Sequence, residues 1–193
     1  MVDVLLSEGG AVADCVVLGP KDTALLLAVR QRHTDIVLRL IAAHANVNHQ
    51  NGYGNTALHE VLRVKNFALA EILLRAGSDL HLCNRKGSSA LHFMCYDEVP
   101  SPACVAFARN LIRQGAAVDV ADLKGMTPLL VCCSSGRDDL LQLLIEEGAD
   151  PTARDLEGNS ARDVAVFYQK ENIVRRFFSH ESPSKRFDFK RDA

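Results

Sequence analysis

The sequence lacks tryptophan altogether, and aromatic residues make up only 6% of its 193 residues. That content is low for a catalytic pocket and ordinary for a stack of helices. The formal net charge is −2, so no basic field indicates nucleic-acid binding. No apolar run approaches the ~18 residues of a membrane-spanning helix. The first ten residues also lack the basic segment and apolar core of a signal peptide. We therefore expect no nucleic-acid partner and no membrane span.

The cysteine pattern and the absence of catalytic motifs indicate the cellular compartment and the kind of protein. The six cysteines form no CxxC pair, and the adjacent Cys132 and Cys133 do not suit a disulfide framework. This pattern predicts reduced thiols and a cytoplasmic or nuclear location. There is no P-loop, nucleophile elbow, HExxH or dinucleotide fingerprint, so we expect neither catalysis nor a cofactor.

What the sequence does contain is an internal repeat. The segments TALLLAV, TALHEVL, SALHFMC, TPLLVCC and SARDVAV begin at residues 23, 56, 89, 127 and 160, at offsets of 33, 33, 38 and 33. Two apolar pairs follow each segment at a spacing that places both on one face of a second helix. The third unit fits only if five residues between Cys95 and Phe107 are removed, which marks DEVPSP as an insert with helix-breaking prolines.

The boundaries of the units agree with this division. Short hydroxyl residues stand where a first helix would be capped, and glycines stand where a second helix would end. The capping positions are Thr56, Ser89, Thr127 and Ser160, and the glycines are Gly77, Gly115 and Gly148. One such unit cannot bury its own apolar face, whereas five in a row can.

The 33-residue period with its T-[AP]-L-H segment resembles the ankyrin repeat. The resemblance implies an all-α solenoid of stacked helix-turn-helix units with β-hairpin or turn connections. It covers about residues 1–178. The predicted divisions are a half repeat or N-terminal cap at 1–18, repeats at 19–51, 52–84, 85–122 (with the insert), 123–155 and 156–178, and a polar, basic tail at 179–193.

Three features depart from the family pattern. Residues 1–10 resemble a second helix without its first, which indicates an atypical cap or a piece of a longer chain. His44 stands where the other units carry glycine, and a left-handed residue there costs about 1 kcal/mol. Glu60 stands at a usually apolar position, with Arg63 one turn on as a candidate partner.

A metal site is the tempting interpretation of His92, Cys95 and Cys104, but their spacing suits no tetrahedral site. The resemblance gives His92 and the equivalent His59 a structural role, hydrogen bonding to neighbouring loops. Cysteines in these registers are expected to pack in the core. We therefore expect no metal.

The resemblance places partner contacts on a concave face, made of hairpin tips and the inner side of each first helix. All three tyrosines fall in these registers, and Tyr and Arg are enriched among interface hot spots. The predicted protein-binding residues are Tyr53, Asn55, Arg63, Arg85, Lys86, Tyr96, Asp97, Leu123, Lys124, Met126, Phe167 and Tyr168.

We predict that the tail SHESPSKRFDFKRDA lies outside the register of the repeats. A solvated end is one interpretation. A linear motif is another, because Ser182 precedes Pro183 and is a candidate phosphorylation site. Alternatively, Phe187 and Phe189 could fold back over the apolar end of the last repeat.

The sequence thus predicts a non-enzymatic adaptor, inhibitor or assembly factor, monomeric on its own. Its partner would be a protein with an acidic or mixed-charge segment, because the middle repeats carry the positive side chains. The alternative is a regulatory ankyrin region, or a subunit, of a larger enzyme or channel assembly.

Overall fold

A computed structural model describes residue 14 and residues 21–96 and 99–179 of the chain. These residues form helices, turns and one isolated antiparallel bridge between Arg154 and Ser160. The helices of the described residues are α1 (Ala24–Arg30), α2 (Thr34–Ala42), α3 (Ala57–Arg63), α4 (Phe67–Arg75), α5 (Ala90–Cys95), α6 (Pro102–Arg113), α7 (Pro128–Ser135), α8 (Asp138–Glu146), α9 (Ala161–Phe167) and α10 (Glu171–Phe177). The all-α solenoid class predicted from the sequence is confirmed.

The helices pair within each repeat and stack between repeats. Helix α1 packs on α2, α3 on α4 and so on, while the first helices α1, α3, α5, α7 and α9 form one continuous row. Leucines at the same register, such as Leu25, Leu58 and Leu91, are each 1% exposed within this row. A single apolar core therefore runs along the array, because each repeat is covered by its neighbours.

Each first helix begins at the hydroxyl residue that the repeat predicts. The side chains of Thr56 and Thr127 accept hydrogen bonds from backbone N–H groups three residues on, at 3.4 Å in both cases. Ser160 accepts the equivalent bond at 3.3 Å, and Ser89 forms a capping box with His92. These caps satisfy N–H groups that the start of a helix leaves without partners.

The second helices end in left-handed residues. Gly77, Gly115 and Gly148 have φ values of 91°, 101° and 90°, as the sequence predicts for glycines at these positions. His44 adopts the same conformation with φ of 59° in the first repeat. The first repeat therefore contains a strained residue where three others have glycine.

Replacing His44 by glycine is expected to stabilise the first repeat by about 0.5–1 kcal/mol, since the left-handed strain outweighs the entropy that glycine loses on folding. Ala43→Gly is the matched control, because Ala43 has an ordinary φ of −86° and should only lose stability. Amide hydrogen exchange in α1 and α2 would measure both changes. Equal destabilisation by the two glycines would contradict this account.

Part of the insert lies in the connector between α5 and α6, and the rest lengthens α6, the second helix of the third repeat. Helix α6 has 12 residues, against 9 in α2 and α4, and it begins at Pro102. The expectation that the prolines prevent the insert from extending a helix is therefore wrong for α6. Proline fits the first helical position because its missing N–H would have no partner there.

A buried arginine joins the lengthened repeat to the next one. Arg137, at the start of α8, is fully buried, and its guanidinium donates to both carboxylate oxygens of Asp139 at 2.7 and 2.9 Å. It also donates to the Met94 carbonyl in the last turn of α5, at 3.5 Å. Burial alone would raise the pKa of Asp139, but hydrogen bonds from Arg137, Leu140 and Ser101 outweigh it and lower that pKa. The charged pair thus holds α5 and the insert against α8.

The residues of the rejected metal site take structural positions. His92 Nδ1 accepts from the Ser89 backbone N–H at 3.1 Å, and Nε2 lies 2.8 Å from the Met126 carbonyl of the next repeat. Cys95 and Cys104 are free thiols buried in the core. In the part of the chain that the structure describes, no group of three or more His, Cys, Asp or Glu residues could hold a metal ion.

Candidate protein-binding face

Hairpin tips between repeats are built by asparagine and aspartate side chains. Asp122 Oδ1 accepts from the backbone N–H groups of Lys124 and Met126, at 2.8 and 2.9 Å. In each of the other tips, an equivalent side-chain oxygen accepts from the backbone N–H groups two and four residues further along the chain. The residues that accept them are Asn51, Asn84, Asp122 and Asp155, each five residues before a helix cap. Such a side chain fixes the turn without help from a strand partner.

Neighbouring tips are joined by backbone hydrogen bonds. The Arg85 N–H donates to the Tyr53 carbonyl at 3.0 Å, and the Leu123 N–H donates to the Lys86 carbonyl at 2.8 Å. The Leu156 N–H continues the series to the Lys124 carbonyl at 2.9 Å. The tips therefore form one ordered row with fixed spacing, which we call the tip row.

Glycine is required in the tip row for two reasons. Gly54, Gly87 and Gly125 have left-handed φ values, and each also lies against the backbone of the next tip. A Cβ on Gly125 would be 2.5 Å from the Leu156 nitrogen, and one on Gly54 would be 2.5 Å from the Arg85 nitrogen. A side chain there would push neighbouring tips apart.

Gly125→Ala is expected to cost a further 1–3 kcal/mol beyond the left-handed strain of about 1 kcal/mol, because the added methyl overlaps backbone that has little room to move. Gly148→Ala is the matched control: it has a similar φ of 90°, and its Cβ would meet nothing within 4 Å. Urea unfolding of both variants would compare them. If both variants lose the same free energy of unfolding, the close approach of neighbouring tips does not affect stability.

The second and third repeats enclose a groove of about 530 Å³ at the tip row. Tyr53 and Tyr96 line it at 65% and 48% exposure, and Phe93, which also lines it, is half-buried. The Tyr96 hydroxyl is 2.8 Å from the Ser88 hydroxyl, and its ring meets Phe93 edge-on at 5.8 Å. Tyr96 is therefore held in place, which lowers the entropy that it would lose on binding a partner.

Positive charge surrounds this groove. Arg85, Lys86 and Lys124 are exposed on the tip row, and none of the three forms an ion pair with a described residue. The charge of Arg63, by contrast, is balanced, because its guanidinium donates to the Glu60 carboxylate at 3.0 and 3.1 Å. Among the described residues, the cations of the tip row thus have no paired acid, whereas the Arg63 charge on the helix behind it is balanced by Glu60.

The Glu60 carboxylate is the centre of that balanced cluster. Glu60 is 3% exposed, and it accepts from the Asn55 side chain at 2.9 Å in addition to Arg63. Arg30 of the first repeat approaches the same carboxylate at 3.6 Å and pairs with Asp22 at 3.0 Å. Glu60 is therefore a satisfied buried acid, and the sequence-based suggestion of Arg63 as its partner is confirmed.

The C-terminal half of the same surface is apolar. Leu123 and Leu156, on adjacent tips, are 70% and 78% exposed. Phe167 and Tyr168, at the end of α9, are about half-exposed and meet edge-on at 4.9 Å. Exposed side chains of this size on neighbouring repeats form the kind of patch that marks interaction sites.

The two repeat histidines belong to the scaffold beneath this surface. Burial lowers the pKa of His59 to about 4, against smaller raising effects of the Ser88 backbone and the Glu60 carboxylate. Burial also lowers the pKa of His92. His59 bonds the Thr56 backbone N–H through Nδ1 at 3.1 Å. Both rings are neutral at pH 7, so they add no charge to the face.

The structure brings most of the predicted contact residues onto one surface, which we call the inner face. It comprises the tip row and the exposed side of the first helices. Tyr53, Asn55, Arg85, Lys86 and Tyr96 line the groove. Leu123, Lys124, Phe167 and Tyr168 lie exposed farther along, whereas Met126 is half-buried and Arg63 is engaged by Glu60. Whether a partner contacts these residues stays a prediction.

Two large apolar residues of the inner face, Phe93 and Leu156, are absent from the predicted set. Phe93 lines the groove, although its place on the core-facing helix α5 gives no sequence signal for exposure. Leu156 occupies the same contact register as Leu123, so the repeat register by itself indicates it. Asp97, Ser182, the tail phenylalanines and residues 1–13 lie outside the described residues.

Among the described residues, no helix is both long enough and apolar enough to cross a membrane.

Comparison with known proteins identifies the repeat. The family model described as "Ankyrin repeats (3 copies)" matches residues 1–82, 61–155 and 105–188. The last match runs past the boundary at residue 178 that the sequence predicts.

Relatives agree with the family match. An ankyrin repeat protein of Acanthamoeba polyphaga mimivirus is 24% identical over 178 residues, which cover 90% of this chain and 23% of that protein. The B-cell lymphoma 3 protein homolog of Mus musculus is 28% identical over 165 residues, covering 82% of this chain and 36% of that protein. Ankyrin repeat domain-containing protein 63 of Homo sapiens is 46% identical over 63 residues, covering 32% and 17%. The chain thus spans about a third or less of the length of these relatives.

Proposed function

Because the chain belongs to the ankyrin repeat family, a non-catalytic protein-interaction fold, we propose that it binds a partner protein through its inner face. Its role would be that of a non-enzymatic adaptor, inhibitor or assembly factor. The single observation that carries this proposal is the groove between the second and third repeats. There, exposed aromatic rings lie beside cations that pair with no described acid, on a tip row fixed by backbone hydrogen bonds.

The chemistry of the inner face specifies the partner. Arg85, Lys86 and Lys124 would attract carboxylates, and the groove beside Tyr53 would accept an aromatic or aliphatic side chain. Farther along, Leu123 and Leu156 would contact apolar side chains. The best fit is an acidic or mixed-charge segment of a protein, with its acidic part over the middle repeats and its apolar part over the last two.

Other aspects of the proposal follow from the same features. Four buried free thiols within the core support a reducing compartment, the cytoplasm or the nucleus. One copy of the array presents the whole inner face, so we propose that it acts as a monomer. A second candidate is a regulatory region or subunit of a larger enzyme or channel assembly, which is favoured by the short span of the chain within its relatives.

Affinity capture from native extract, compared between variants, tests the proposal. The wild-type chain and an Arg75→Ala variant, changed at an exposed site in the last turn of α4, should capture the same proteins. A Tyr53→Ala/Arg85→Ala variant should lose at least one of them. Circular dichroism and thermal unfolding would establish that all three chains are folded. If the inner-face variant retains every captured protein, the proposed site is wrong.

A further inference from the structure

Three hydroxyl residues of the sequence are followed directly by proline: Ser101, Thr127 and Ser182. Ser182 lies outside the described residues, so only the other two have a place in the structure. Both are the N-cap of a helix, and in both cases the proline is the first residue of that helix. The two dipeptides are therefore alike in sequence and in position, and their surroundings determine what each hydroxyl can do.

Thr127 is enclosed by the array. It is 5% exposed, and its side chain accepts a hydrogen bond from the Leu130 N–H at 3.4 Å. The residues after its proline, Leu129 and Leu130, belong to the apolar core. An enzyme could bind this segment only after the fourth repeat had opened, because the hydroxyl and the residues that follow it are buried.

Ser101 lies at the end of the insert, at the edge of the core. It is half-buried itself, but the residues on either side, Pro100 and Pro102, are exposed. Its backbone is extended, with φ of −149° and ψ of 119°, as a following proline favours. Its side chain makes no capping hydrogen bond to the first turn of α6, unlike that of Thr127 in α7. Ser101 therefore presents its hydroxyl in an extended surface segment, the form in which a kinase binds its acceptor.

The backbone of Ser101 faces the charge pair at the start of α8. The Asp139 carboxylate accepts hydrogen bonds from the Ser101 N–H and from the Arg137 guanidinium. Ser101 and Asp139 also line one surface cavity. The Asp139 side chain is only 22% exposed, so water screens a neighbouring charge weakly there. A second negative group on Ser101 would lie beside a carboxylate that already binds the buried Arg137.

We propose that Ser101 is an acceptor site for a proline-directed serine/threonine kinase, and that phosphate at this site loosens the junction of the third and fourth repeats. The transfer forms a bond between Ser101 Oγ and the γ-phosphorus of ATP. It breaks the bond from that phosphorus to the β–γ bridging oxygen, so ADP leaves, and the catalytic base of the kinase takes the hydroxyl proton. The product carries about two negative charges at pH 7. They repel the Asp139 carboxylate and compete with it for Arg137.

A looser junction would also affect the groove of the inner face. Arg137 donates to the Met94 carbonyl in the last turn of α5. The same helix carries Phe93, and Tyr96 follows directly at its end. We therefore expect phosphorylation to weaken binding of the partner. This consequence rests on the proposed function, whereas the modification of Ser101 and its effect on stability do not.

Phosphorylation rates in the folded chain and in matched peptides test the site. A Ser182→Ala chain and peptides of residues 96–108 and 122–134 would be treated with a purified mitogen-activated protein kinase and Mg-ATP. Mass spectrometry would locate the phosphate. We expect Ser101 to react in the folded chain at more than a tenth of its peptide rate. A lower rate, or a peptide of residues 96–108 that does not react, would overturn the inference.

Thr127 is the matched comparison within the same chain. Its rate should fall at least tenfold further below the rate of its own peptide than that of Ser101 does, because its segment is buried. Equal reductions at the two residues would show that the surroundings of Ser101 do not expose it to the kinase, and the inference would fall.

Urea unfolding tests the effect on the junction. We expect phosphorylation of the Ser182→Ala chain to raise its unfolding equilibrium constant at least tenfold, and a smaller rise would refute the proposed loosening. This comparison needs no further substitution. The added variant Asp138→Asn should keep the rise, because Asp138 pairs with Arg176 instead. Asp139→Asn should reduce it to less than twofold, since the neighbouring charge is gone. An equal rise in these two variants would show that Asp139 is not what the phosphate repels.

Discussion

Arg137→Ala is expected to destabilise the array by about 3 kcal/mol, the largest loss that we predict from removing a side chain. The substitution leaves the Asp139 carboxylate, only 22% exposed, without its cation, and it removes a donor from the Met94 carbonyl. Removing one member of a buried ion pair costs about 3–5 kcal/mol, because the remaining charge stays poorly solvated. Urea unfolding at pH 7 would measure the loss.

Arg176→Ala is the control for this effect. Arg176 binds the neighbouring acid Asp138 at 2.8 Å, close to the 2.7 Å between Arg137 and Asp139, but its side chain is 54% exposed. An exposed pair contributes about 1 kcal/mol or less. A similar loss from both variants would show that burial of Arg137 is not what stabilises the junction of the third and fourth repeats.

Tyr53→Ala and Arg85→Ala are each expected to weaken binding of the captured partner about 30-fold. Truncation of a hot-spot tyrosine or arginine costs about 2 kcal/mol, and 1.4 kcal/mol corresponds to a factor of ten. Both side chains are exposed, so the free energy of unfolding should change by less than about 0.5 kcal/mol. Isothermal titration calorimetry with the purified partner would give the affinities.

The salt dependence of the affinity distinguishes the contribution of Arg85 from that of Tyr53. The loss caused by Arg85→Ala should shrink as the salt concentration rises, because screening weakens the wild-type attraction between exposed charges. The loss caused by Tyr53→Ala should change little with salt, since it comes from buried apolar area. If both losses respond equally to salt, the division of the groove into aromatic and cationic parts is wrong.

Much of the fold could be predicted because its signals are local. A hydroxyl residue such as Thr127 caps the helix that starts beside it, and a glycine such as Gly148 ends the helix just before it. Each feature needs only a few neighbouring residues, and the 33-residue period repeats the signal five times. The third repeat alone departs from the 33-residue period, and this departure locates the insert.

Contacts between repeats are harder to predict from the sequence. Arg137 follows Gly136 in a short connector, where an arginine ordinarily faces solvent, and only the packed structure shows it fully buried. Glu60 likewise depends on Arg30, which lies a full repeat away in the sequence. The extra turn of α6 depends on where Pro102 falls relative to the helix, and a proline can either start a helix or interrupt one.

The predicted contact residues also include some features that the sequence indicates and others that it does not. The tip and helix registers gave the inner face, and the structure places Tyr53, Arg85, Lys86 and Tyr96 around one groove. Register alone could not show that Arg63 is bound to Glu60 or that Phe93 reaches the groove. Charge compensation and partial exposure depend on side chains of neighbouring repeats, which no single repeat contains.

Site-specific photo-crosslinking would show whether a partner lies against the inner face, because it reports contact and not merely a change in affinity. A photoreactive phenylalanine analogue would replace Lys86, Leu156 or Arg75 in three separate chains, each mixed with the captured partner. We expect cross-links from positions 86 and 156 of the inner face and none from position 75 of α4. Cross-links from position 75, with none from positions 86 and 156, would show that the partner binds another surface.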